Sequence, residues 1–340
     1  MPSLDYQTVL RLLELLPSLI NWVSPLLVVV PLWRIKLTVR IATILCLLFA
    51  LTSARAEEAA TDELPWKTTA TSFRSVDGTE LSGSFMTARK VRPFAAVVLV
   101  SGSDGKRYEN LAALMAIRGI ATLTYDKRGV GESGGEPGHS NDVSAANLAL
   151  LASDAAAAMK WLAQNSEVRS IPRGYVGVSQ AGWVIPLALA QSPDIMFMGF
   201  WSGPTCTTSE QLHFQAFSEA HGYDRSAITD TSIKEAMSHV QRRSDDVDPL
   251  KELKEVSIPG LWLFGAKDQY LPIMVSVRRL QGLISGGRKN FSYQVFKSEA
   301  HNLSDSSDQT SFTAMISWIK QVSSGHHAAG AQPGVQADRP

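Results

Sequence analysis

Cysteine is nearly absent from the chain: its 340 residues hold two, Cys46 and Cys206. Cys46 lies in an apolar N-terminal stretch, so the folded part carries one thiol. That excludes an internal disulfide and a cysteine-built metal site. An excess of charge is missing too, with 32 Lys and Arg against 32 Asp and Glu. No basic stripe with interleaved aromatics occurs, so no nucleic-acid partner is expected. The body has no His-Glu-x-x-His, no histidine pair at helical spacing, no Gly-Lys-Ser/Thr phosphate loop and no dinucleotide fingerprint. Neither a metal nor another cofactor is therefore expected. What the chain does have is 45% hydrophobic and 19% charged residues, the balance of a globular protein rather than a disordered one.

The ends read as something other than fold. Residues 34–56, RIKLTVRIATILCLLFALTSARA, combine Arg34, Lys36 and Arg40 with a short apolar core and a small-x-small site at Ala54-Arg55-Ala56. This is the pattern of a secretory signal peptide, and its apolar run is short for a bilayer span. The expectation is a secreted or periplasmic protein. Residues 1–33 are more than a signal peptide needs and read as an upstream extension of the true start. The alternative is that both apolar segments are kept and anchor the protein to a membrane. Residues 326–340 are Gly, Ala, Pro and Gln around His326-His327 and read as a disordered tail.

Between these ends, strand and helix patterns alternate. Phe73 to Met86 reads as two strands around the Asp77-Gly78 turn. Ala95 to Val100 is a buried apolar run that feeds a Gly-rich turn, and Tyr108 to Arg118 is a helix stopped by Gly119. Ile120 to Tyr125, Gly174 to Val178, Ile195 to Trp201, Gly260 to Phe264 and Phe291 to Phe296 read as further strands. Asn141 to Asn165, Gln180 to Gln191, Met274 to Ile284 and Thr310 to Val322 read as helices. Such alternation calls for an α/β fold with a mostly parallel central sheet and helices on both faces. Residues 205–253 are helical without a strand and read as a small cap insertion.

Three residues in this frame carry chemistry. Gly177-Val178-Ser179-Gln180-Ala181-Gly182 stands between a strand and a helix, where a sharp turn exposes a serine at the carboxyl edge of the sheet. A serine hydroxyl needs a base to take its proton and a third group to orient that base. Asp268 and His301 follow strands later in the chain, in the order serine, acid, histidine. Acyl transfer also needs backbone donors for the developing oxyanion. These are expected from the N–H of Gln180 and, in the turn after Val100, from the N–H of Ser103. The cap offers Phe214, Phe217 and Met237 either as pocket walls or as its own core. Glu210, Glu219 and Asp224 are the carboxylates that could receive a free amino terminus.

Four landmarks, VVLVSGSDG, TYDKRGVGES, GVSQAG and LFGAKDQYLP…EAHNL, together resemble the α/β-hydrolase family over nearly all of residues 70–322. Their combination is similar to its bacterial esterase and serine-aminopeptidase-like branches. The resemblance implies an α/β-hydrolase domain over 57–325 with a Ser179, Asp268, His301 triad. It further implies that Asp126 to Ser133 is a bracing loop. Two positions depart from the family pattern: Ser101-Gly102 stands for the usual His-Gly, and Ala181 for the second elbow glycine. The expected activity is carboxylic ester hydrolysis through an acyl-enzyme on a small-molecule ester. Peptide, thioester or lactone cleavage by the same triad is the alternative, and a non-catalytic binding protein a third reading.

Overall fold

The computed structural model describes residues 64–325, apart from 137, 193 and 306–308. Residues 34–56, read above as a signal peptide, the stretch before them, Cys46 and residues 326–340 lie outside the described residues. A hairpin comes first: β1 (Trp66–Arg74) and β2 (Glu80–Ala88) pair antiparallel. Strands and helices then alternate as β3 (Ala95–Val100), α1 (Glu109–Ile117), β4 (Ile120–Tyr125), α2 (Ala145–Gln164), β5 (Arg173–Val178), α3 (Ala181–Leu189) and β6 (Phe197–Trp201). Three helices without a strand follow: α4 (Thr208–Ala220), α5 (Asp230–Ser238) and the short α6 (Leu250–Leu253). The chain ends its described part with β7 (Gly260–Gly265), α7 (Ile273–Ser285), β8 (Phe291–Phe296) and α8 (Thr310–Ser323).

The eight strands form one sheet in the order β1-β2-β4-β3-β5-β6-β7-β8. β2 runs antiparallel to both β1 and β4, and every later pair is parallel. A strand buried on both faces can be apolar throughout, and β3 is fully buried along its length. Its residues alternate between two cores. Ala96, Val98 and Val100 face the core shared with α2, α3 and α7, while Ala95, Val97 and Leu99 face the core shared with α1 and α8. The sheet is therefore covered on both sides.

The strand order also locates the functional edge. From β3 the chain moves one way to β4, then returns past it to β5 on the other side. The carboxyl ends of β3 and β5 thus sit side by side where the connections diverge, the place where open α/β sheets bind ligands. Over the described residues, no helix is long and apolar enough to cross a membrane. The cap helices carry a small core of their own: Phe214, Ile228 and Ile233 pack with Phe217, Met237 and Met274.

Candidate active site

Ser179 follows β5 directly and holds a left-handed backbone, φ 51°, which a non-glycine residue adopts only under local constraint. The constraint is visible. Its N–H donates to the Trp201 carbonyl at 2.9 Å and its own carbonyl accepts from Gly182 N–H at 2.9 Å. The turn is tight enough that a Cβ at position 177 would collide with the Cβ of Ala181 and lie 2.7 Å from Ile185 Cδ1. Glycine at 177 thus makes the room that Ala181, the departure from the usual elbow, occupies.

The two partner loops come from β7 and β8. Asp268 is 1% exposed, and its Oδ1 accepts N–H bonds from Tyr270 at 2.8 Å and Leu271 at 2.9 Å. Its Oδ2 lies 2.7 Å from His301 Nδ1, and His301 Nε2 lies 2.9 Å from Ser179 Oγ. The three residues predicted from the sequence therefore meet in series. The loops approach closely because residue 265 is glycine; a Cβ there would run into the carbonyl of Ala300. Ser202, also at φ 51°, donates its hydroxyl to the His301 carbonyl at 2.6 Å. The Tyr270 ring stands edge-on to the imidazole, centroids 5.2 Å apart. A hydroxyl, an imidazole and a buried carboxylate in this order can draw a proton from the hydroxyl and hold the resulting cation.

Ser179 and His301 open into a cavity of about 360 Å³ that Ser103 and Gln180 also line. Neither backbone N–H of Ser103 and Gln180 finds an acceptor among the described residues. The remaining lining is uncharged. Asn141, Gln211 and Gln215 supply amides, and Val143, Trp183 and Leu271 supply apolar surface. Phe217 and Met237 are in the cap core rather than in this lining. The candidate carboxylates are outside this lining. Glu210 accepts from Thr207 N–H at 2.7 Å and pairs with Arg279, Asp224 accepts from Ser226 N–H, and Glu219 is exposed. The other described histidines are also outside this lining: His213 Nε2 is 2.9 Å from the Ala236 carbonyl, His221 Nδ1 is 2.8 Å from that of Phe217, and His139 and His239 are exposed. Burial pushes the Cys206 thiol up to about 12, so it stays protonated and inert. Among the described residues, no group of His, Cys, Asp or Glu converges to hold a metal.

The Asp126 to Ser133 loop braces this edge. Asp126 accepts from Arg107 Nη2 at 2.6 Å and from Arg107 N–H at 2.9 Å. Arg128 makes a two-pronged pair with Asp154, which is fully buried on α2. Lys127 is 1% exposed, and its ammonium donates to the Gly102 carbonyl at 2.7 Å and to Gln180 Oε1. Desolvation lowers its value to about 7, against a partial lift from Asp104 and Asp154. Ser202, Tyr270 and Lys127 were not singled out by sequence reasoning. Lys127 stands between Asp126 and Arg128, in a run of charges that reads as solvated.

The fold and motifs have known counterparts. Residues 91–248 match the family described as serine aminopeptidase, S33. No curated protein sequence is a significant match. Among solved structures, an esterase of Pyrococcus furiosus superposes with TM-score 0.55 at 16% identity, covering 78% of this chain and 94% of that one. A 2,6-dihydroxy-pseudo-oxynicotine hydrolase gives 0.58 at 19% identity, covering 82% and 75%. The acylaminoacyl peptidase of Pyrococcus horikoshii gives 0.56 at 19%, covering 82% of this chain and 44% of the longer peptidase. The sheet order and these likenesses together show the α/β-hydrolase fold, and residues 91–248 within it resemble the serine aminopeptidase family.

Proposed function

We propose that the protein is a serine hydrolase of small, uncharged carboxylic esters, with Ser179 as nucleophile, His301 as general base and Asp268 as its orienting acid. The observation that carries this reading is the continuous hydroxyl–imidazole–carboxylate series opening into a cavity with no charged lining residue beside it. In the first half-reaction the Ser179 oxygen bonds to the ester carbon, and the carbonyl π pair moves onto its oxygen. His301 Nε2 takes the serine proton. The carbonyl re-forms as the C–O bond to the alcohol breaks, and the imidazolium gives that proton to the leaving alkoxide. Water then attacks the acyl-enzyme with His301 again as base, releasing the acid and restoring the serine. The N–H groups of Ser103 and Gln180 are the donors for both oxyanions.

The S33 likeness raises a second reading, cleavage of a peptide from its amino terminus. A free ammonium group calls for a carboxylate in the pocket, and Glu210, Glu219 and Asp224 are all outside the lining. That favours the ester. We also propose export through residues 34–56, with membrane anchoring as the alternative; N-terminal sequencing of the native protein separates the two.

The deciding experiment mixes the purified chain and its Ser179→Ala variant with a fluorophosphonate probe, short p-nitrophenyl esters and aminoacyl coumarin amides. Wild type should be labelled and should cleave the esters, and the variant should do neither. Faster turnover of the amides reverses the choice of substrate. A folded wild type that is neither labelled nor active brings the binding-protein reading forward.

A further inference from the structure

The backbone donors for an oxyanion sit on two separate turns, one after β3 and one after β5. Their usefulness depends on both N–H groups pointing at one spot within a few tenths of an ångström. Lys127 joins those turns. Its ammonium donates to the Gly102 carbonyl on the first and to the Gln180 side chain on the second. Its own N–H donates to the Gly105 carbonyl at 2.8 Å.

The Gly102 carbonyl is the informative contact. It belongs to the same planar, trans peptide unit as the N–H of Ser103, and in such a unit the two bonds point in opposite directions. Fixing the carbonyl on the Lys127 side therefore turns the Ser103 N–H the opposite way. A strong donor on the carbonyl also polarises the unit and makes that N–H a better donor. The preceding peptide is held as well, since Gly102 N–H donates to the Tyr108 hydroxyl at 3.0 Å and that hydroxyl donates to Asp104 at 2.9 Å. On the second turn, Gln180 Nε2 donates to the Asp142 carbonyl at 3.4 Å, so the Gln180 amide is held from both ends.

We propose that Lys127 is a positioning residue that clamps the Gly102–Ser103 peptide against Gln180 and so sets the aim of both oxyanion donors. This inference rests on the serine-hydrolase reading above. It accounts for how a turn with Ser101-Gly102 in place of His-Gly can present Ser103. It also gives a reason for burying an ammonium group where an apolar side chain would otherwise fit.

The test compares wild type with Lys127→Met, which keeps the length and loses both hydrogen bonds. Lys127→Gln, which keeps one uncharged donor, is the second variant should the first fold poorly. Competent sites are first counted by fluorophosphonate titration, so that partial unfolding lowers the count and not the rate per site. The kcat per titrated site should fall about 10- to 100-fold in Lys127→Met with KM within about threefold, somewhat less than loss of an oxyanion donor outright. Lys127→Gln should fall between. Affinity for a trifluoromethyl ketone, which forms the tetrahedral oxyanion on Ser179, should drop in parallel, while affinity for the product acid stays level. Unchanged kcat and ketone affinity per site in both variants overturn the clamp, as does a change confined to KM. Failure of wild type to label would instead overturn the hydrolase reading itself.

Discussion

The Asp268 carboxylate makes three hydrogen bonds, and their distribution sets what a change there does. Two backbone N–H groups, of Tyr270 and Leu271, occupy Oδ1, and the imidazole Nδ1 meets Oδ2. In Asp268→Asn the amide oxygen stays on the two N–H donors, because its NH2 cannot accept from them. The NH2 then faces His301 Nδ1 and donates to it. This forces the tautomer whose Nε2 carries the hydrogen, so Nε2 can no longer accept the proton of Ser179 Oγ. The variant should therefore fold with near-native thermal stability and lose roughly 10³- to 10⁴-fold in kcat, read with p-nitrophenyl acetate. Near-native turnover would show that another group orients the histidine.

At the scale of elements, the contact between β5 and α3 decides whether the serine turn forms. Only one methyl fits between positions 177 and 181, and at present Ala181 holds it. Gly177→Ala should destabilise the protein by about 1–3 kcal/mol through overpacking and misplace Ser179. The exchange Gly177→Ala with Ala181→Gly should recover most of both, as measured by urea unfolding and site titration. If the double variant is no better than the single one, the methyl contact is not what limits the turn. The same contrast separates what could be read in the sequence from what could not. β3 and β5 to β7 are buried on both faces and stand out as short apolar runs between turns. β1 is an edge strand with most of its residues exposed, so its first seven residues, Trp66 to Ser72, show no apolar alternation. The periodicity places the start of α2 at Asn141, yet the helix begins at Ala145. Asp142, Ser144 and Asn147 bond to nearby backbone groups and hold a loop instead. That loop carries Asn141 and Val143 into the cavity. Ser179, Asp268 and His301 were legible because each follows a strand at the same edge. Lys127 was not, because its partners lie 25 and 53 residues away, and only the closed sheet brings them to it.

For the molecule as a whole, the buried lysine couples folding to pH, and the sign follows from its environment. Desolvation lowers Lys127 to about 7 from an ordinary 10.5, with Asp104 and Asp154 the carboxylates acting against that fall. Between those two values the unfolded chain binds a proton that the folded chain does not, so this group makes stability rise with pH across the window. Below about 7 both states are protonated and the penalty is constant; above 10.5 neither is, and it has gone. Tyr125, Tyr175 and Cys206 act in the opposite sense at the alkaline end, since burial raises their values and the unfolded chain loses those protons first. A bare stability profile would mix the two effects. Subtracting the profile of Lys127→Met removes the shared groups and leaves the lysine. The difference should tilt toward wild type from pH 7 to pH 9.5, with a limiting slope of about 1.4 kcal/mol per pH unit, measured by urea unfolding at each pH. A level difference would mean that the ammonium keeps its proton when buried. The neutral amine still has two N–H bonds, and Gly102 and Gln180 present two acceptors. The clamp can therefore persist through the titration, so the tilt in stability should appear without a matching loss in kcat per site over the same range.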